Sequence, residues 1–108
     1  MKSNEDLSKE RIELKEKFKK FNELEVFMDE DSEETATIFL KKPDKKCRSL
    51  VGELAAKNPS KAVEAAIRNT YIGGDDLELV CANDYALASA EEGVVKMLEV
   101  QKAILKKN

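Results

Sequence analysis

The chain of 108 residues is 38% charged and 42% hydrophobic, lacks both histidine and tryptophan, and sets 19 basic against 22 acidic side chains for a formal net charge of -3. Without histidine there is no Ser-His-Asp or Cys-His couple, no His-bearing zinc site and no imidazole acid or base near neutrality. The length suits one domain, residues 1–108, with a single core, and the negative balance lacks the cationic excess that non-specific phosphate binding needs.

From Glu5 to Glu23 charged residues dominate, but Leu7, Leu14, Phe18 and Phe21 recur at helical spacing and predict an amphipathic helix within residues 1–23. Its apolar stripe is narrow and lies at the end of the chain, so it is a candidate partner-facing or self-associating surface. Residues 24–42 change character: LEVFM and TATIFLK are rich in β-branched and aromatic residues and flank the acidic stretch Asp29 to Glu34, which predicts an antiparallel β-hairpin with an acidic turn. In the second strand both alternating sets, Ala36, Ile38, Leu40 and Thr35, Thr37, Phe39, contain apolar residues, so period 2 does not decide which face is buried.

Residues 43–108 read as helical. Pro43 breaks the strand and Asp44 is placed to cap a helix carrying Cys47, Leu50, Val51, Leu54 and Ala55 on one side. Asn58 and Pro59 close it, and a second helix with Ala62, Val63, Ala66, Ile67 and Tyr71 on one face runs to Gly73 and Gly74, expected as its C-terminal stop. The two form an αα-hairpin. LELVCAND after Asp75 and Asp76 fits a helical turn or an extended piece. A long last helix then starts near Asn83 or Asp84, with Leu87, Ala90, Val94, Met97, Leu98, Gln101, Ile104 and Leu105 in phase and Lys106 and Lys107 at the negative end of its dipole, about 35 Å in length. The expected fold class is α+β: an N-terminal helix, an antiparallel β-hairpin, then three helices.

Candidate motifs are weak. Asp29, Asp31 and Glu33 alternate as in a calcium loop, but Glu34 stands where a glycine should turn the chain and Leu40 where a bidentate glutamate should sit, so a solvated hairpin tip is the better reading. Gly73, Gly74, Asp75 and Asp76 resemble a magnesium-binding carboxylate turn, yet the chain has too few strands for a nucleotidyl-transfer palm; a helix stop followed by a capping box, Asp75 with Glu78, explains them. Lys41, Lys42, Lys45, Lys46 and Arg48 make a basic cluster at a helix N-terminus, where the helix dipole disfavours cations, and this points to compensating carboxylates or an anionic partner. Cys47 and Cys81 lie far apart with no CxxC spacing, which fits buried thiols in a reducing compartment. The opening MKSNEDLSKE has no apolar signal core, and no run nears the roughly 18 apolar residues of a membrane span, so an unprocessed, soluble cytoplasmic protein is expected.

The succession IFLKKPD, CRSLVGELA, KAVEAAIRNTYI, GGDD and VVKMLEVQKAILKKN resembles small proteins from the tail modules of tailed phages and prophages, the tail assembly chaperones. The likeness runs from about Leu24 to Asn108 and is carried by Leu40 to Asp44, Tyr71 to Asp76 and Val95 to Asn108. The resemblance implies a non-enzymatic protein that needs no cofactor. Such proteins coat the apolar, helical tape-measure protein in the host cytoplasm, help recruit tail-tube subunits and are absent from the finished virion; in many phages a frameshift appends a second domain to some copies. A homo-oligomer that binds the tape-measure protein, without nucleic acid or membrane, is therefore expected. Its candidate contacts are Leu7, Leu14, Phe18 and Phe21, the basic residues Lys41, Lys42, Lys45, Lys46 and Arg48, and secondarily the apolar edge of the last helix. The alternative is a structural head-tail or tail adaptor retained in the virion. An enzyme or nucleotide-binding protein using Asp75 and Asp76 with the basic cluster ranks third.

Overall fold

The computed structural model describes residues 1–31, 33–99 and 103–108. The chain forms α1 (Asn4–Phe18), β1 (Asn22–Phe27), β2 (Thr35–Leu40), α2 (Lys45–Lys57), α3 (Pro59–Thr70), β3 (Tyr71–Gly74), α4 (Leu77–Cys81) and α5 (Asp84–Leu98). The strands make one antiparallel sheet in the order β1-β2-β3, with Asn22 opposite Leu40 and Phe27 opposite Thr35 across the hairpin. This is the expected α+β architecture with a third strand added.

The helices start where side chains can satisfy their free N–H groups. Ser3 Oγ accepts from Asp6 N, Asp44 Oδ1 from Cys47 N, Asn58 Oδ1 from Lys61 N and Asn83 Oδ1 from Ala86 N. Asn58 ends α2 and caps α3 at once, with Pro59 in the first turn where a missing N–H does no harm.

The central strand β2 has buried residues on both faces, which resolves its ambiguity. Val26, Ala36, Ile38 and Leu40 face the main core, built with Val51, Ala66, Ile67, Val80, Ala86, Ala90 and Val94 from the helices. Phe39 points the other way and is fully buried against Leu7 and Leu14 of α1, with Phe18, Phe21 and Ile72 packed around it. Phe21 meets Phe39 edge-on, ring centroids 5.6 Å apart. The stripe Leu7, Leu14, Phe18, Phe21 is thus covered by the chain's own sheet. This corrects the expectation of a partner-facing first helix, because burying the stripe needs an apolar surface and Phe39 already supplies one.

Two further corrections concern the second half. Tyr71 and the glycines leave the helix and form β3, pairing Gly74 with Ile38 and Gly73 with Phe39. Gly74 has φ +98, and a Cβ there would overlap the Thr37 carbonyl oxygen and lie 2.7 Å from Ile38 Cα, so the glycine serves close strand approach rather than a helix stop. LELVC is the short helix α4, capped by Asp76, whose Oδ1 accepts from Glu78 N at 3.0 Å. Asp75 has a different task. It is 3% exposed, its Oδ1 accepts from Lys2 N at 2.6 Å and its Oδ2 from Thr37 N at 2.8 Å. Glu78 does not reach back to it but pairs with Arg68.

Helix α5 ends at Leu98, where Glu99 turns extended at ψ 139. Ile104 and Leu105 are 82% and 85% exposed instead of continuing the helical face, and Gln101 lies outside the described residues. A carboxylate clamp joins α1 to the edge strand: Glu10 accepts from Gly74 N at 2.8 Å and pairs with Lys2 Nζ at 2.7 Å. Among the described residues, no helix is long and apolar enough to cross a membrane.

Candidate binding surfaces

Two concave surfaces meet at the C-terminal end of α5. The first is an apolar groove of about 280 Å³ to which three helices each contribute a stripe: Val51 and Ala55 from α2, Pro59, Ala62 and Val63 from α3, and Glu91, Val94, Val95 and Leu98 from α5. The spacings are those of single helical faces, i and i+4, then i, i+3, i+4, then i, i+3, i+4, i+7. Val51, Ala62, Val63 and Val94 are nearly buried at its floor, and Val95 stands 53% exposed at its edge. A smaller hollow of about 120 Å³ shares Pro59, Val63 and Glu91 and carries the track on to Leu87, Ala88 and Asp84. The whole follows α5 for about 20 Å at 1.5 Å per residue. The three stripes form one apolar groove among the described residues, of the shape into which side-chain ridges of an apolar helix pack. The apolar edge of the last helix, the secondary candidate from the sequence, is one wall of this groove.

The second surface is a cleft of about 610 Å³ between the end of α1, the open end of the β-hairpin, the start of α2 and the end of α5. Seven cationic side chains line it, Arg11, Lys15, Lys19, Lys20, Lys42, Arg48 and Lys96, against two carboxylates, Glu23 and Glu99, over an apolar floor that includes Phe21, Pro43 and Met97. Arg11 grips Glu23 through Nε at 2.7 Å, Arg48 donates to the Pro43 carbonyl at 2.8 Å, and Lys96 has Glu92 at 3.7 Å. Lys15, Lys19, Lys20 and Lys42 are exposed and have no ion pair among the described residues. Of the five basic candidates read from the sequence, Lys42 and Arg48 line the cleft, while Lys41, Lys45 and Lys46 lie exposed outside it. The cations from α1 and Lys96 were missed because they are remote in sequence and converge only once α1 lies across the sheet.

Other sequence candidates carry structure. The carboxylate of Asp75 is taken up by two backbone N–H groups and Asp76 caps α4, and among the described residues no group of three or more Cys, Asp or Glu is placed to hold a metal ion. Burial pushes the thiols of Cys47 and Cys81 up, and both are 5% exposed. Ser89 Oγ accepts from Phe27 N at 2.9 Å and ties the outer edge of β1 to α5.

These features define an α+β module with a three-stranded sheet between one helix and a helical layer, and with an apolar groove beside a cationic cleft. Comparison with protein-family models, with curated proteins and with solved structures gives no match.

Proposed function

We propose that the protein is a tail assembly chaperone of a phage or prophage, which binds the tape-measure protein in the host cytoplasm during tail assembly. The observation that carries this reading is the apolar groove: among the described residues, stripes from α2, α3 and α5 face one open line, suited to a long apolar helix. The resemblance carried by Leu40 to Asp44, Tyr71 to Asp76 and Val95 to Asn108 supports the same reading. Binding requires no reaction. The groove shields apolar faces of the client while the charged outer surface, Glu91 and Glu99 at its rim included, keeps the complex in water.

Co-expression with a tape-measure polypeptide from the same phage or prophage tests this. The expected result is a co-purifying complex and more soluble tape-measure chain, both reduced by Val95→Glu, a change at a half-exposed groove position, with an unchanged circular dichroism spectrum as the check on folding. No complex and no gain in solubility would reject the proposal. Stoichiometric recovery of the protein in purified virions would instead favour a structural tail component.

A further inference from the structure

We propose that the cationic cleft receives the acidic hairpin tip of a second copy, so that the protein assembles head to tail. The two ends of the β1–β2 hairpin are oppositely charged. At the open end lies the cleft with Lys15, Lys19, Lys20 and Lys42. At the other end the turn between Phe27 and Thr35 carries Asp29, Glu30, Asp31, Glu33 and Glu34, all exposed, with no basic residue between Met28 and Ala36. Five register steps from Asn22 to Phe27 hold these ends about 17 Å apart at about 3.4 Å per residue. The paired strands are tied down by Ser89 at β1, by Asn83 Nδ2 donating to the Met28 carbonyl at 2.9 Å, and by the core, so a tip cannot fold back into its own cleft. The complementary site for a tip is on another molecule.

A nucleic acid fits this cleft less well. Its aromatic side chain, Phe21, is engaged edge-on with Phe39 rather than presented for stacking, and the chain as a whole carries a net charge of -3. The cleft volume of about 610 Å³ matches a turn of several residues, and the exposed tip residues Glu30, Asp31 and Glu33 bring carboxylates to Lys15, Lys19, Lys20 and Lys42. Contact between two different patches is heterologous, so it propagates into rings or open chains rather than stopping at a symmetric pair. This interface adjoins the apolar groove at the end of α5, where the two share Glu99.

Sedimentation of the full chain tests the proposal. At an ionic strength near 0.01 M, where screening acts over about 30 Å, species larger than a dimer are expected to grow with concentration and to revert to monomer near 1 M salt. Lys15→Glu, Lys20→Glu, Lys42→Glu in one variant, and Glu30→Lys, Asp31→Lys, Glu33→Lys in another, are each expected to remain monomeric, while an equimolar mixture of the two associates again. All six positions are exposed, and an unchanged circular dichroism spectrum establishes that the variants fold. A control reversing Lys57 and Lys61, outside the cleft, is expected to associate as the parent does. A parent that is monomeric throughout, association that survives either reversal or high salt, a mixture that stays monomeric, or a monomer whose cleft takes up a single-stranded oligonucleotide would each overturn the proposal.

Discussion

Replacing Asp75 by alanine removes a carboxylate that joins three distant parts of the chain. Its two oxygens accept from Lys2 N at 2.6 Å and Thr37 N at 2.8 Å, while its own N–H donates to the Thr37 carbonyl at 2.7 Å and its carbonyl accepts from Tyr71 Oη at 2.9 Å. The last two bonds survive the substitution, and the first two do not. A hydrogen bond to a charged group is worth about 1.5–3 kcal/mol, and the Lys2 N–H, at the start of the chain, regains water when released, whereas the Thr37 N–H inside the sheet loses its partner. The expected loss is therefore about 2–4 kcal/mol, or roughly 10 °C or more in Tm for a domain of this size. Asp76→Ala removes only an exposed helix cap and is expected to lose about 1 kcal/mol. Asp75→Asn should fall between, because the amide keeps one acceptor and turns its NH2 toward the other donor. Urea denaturation of the three variants, with unchanged m values, gives the comparison directly. If Asp75→Ala loses no more than Asp76→Ala, Asp75 is not the tie between the N-terminus, β2 and β3 described above.

Two glycines should respond in opposite directions in the same assay. Gly74→Ala forces a Cβ into the backbone of β2 at a positive φ and is expected to destabilise by about 3 kcal/mol or more, whereas Gly52→Ala, in open space on α2, should stabilise by about 0.5–1 kcal/mol. The guanidinium of Arg68 holds the Glu78 carboxyl below its usual 4.5. A folded-state value below the unfolded one means that this pair supports the fold above about pH 4.5 and stops doing so as the pH falls through the folded value. The stability difference between the parent and Glu78→Gln, followed by thermal melts across pH, should therefore be present at neutrality and vanish in acid. Burial raises the pKa of Cys47 and Cys81, so both thiols should react slowly with an aromatic disulfide reagent in the native protein and promptly once denaturant is added.

What could be read from the sequence was local. The caps Asp44, Asn58 and Pro59 act on residues three or fewer positions away, and the hairpin follows from adjacent β-rich runs around an acidic turn. What could not be read depends on partners far along the chain. β3 is four residues with two glycines, too short for a period, and it is a strand because β2 lies beside it. The phase of Ile104 and Leu105 shows what a longer α5 would present, but a helical face is buried only where something underlies it. A signal for the covering of α1 was present in β2, where Phe39 stands out of phase with Ile38 and Leu40, as a strand buried on both faces requires. For the candidate surfaces, the basic cluster near Arg48 and the apolar edge of the last helix each showed one wall of a concavity whose other walls come from elements remote in sequence.

The central claim is that an apolar helix of the tape-measure protein seats between α2, α3 and α5. Amide hydrogen exchange of the protein alone and in the co-purified complex tests it most directly. Slower exchange confined to residues 51–63 and 91–98 is predicted on binding. An unchanged pattern there, with new protection over α1 or the hairpin instead, would contradict it.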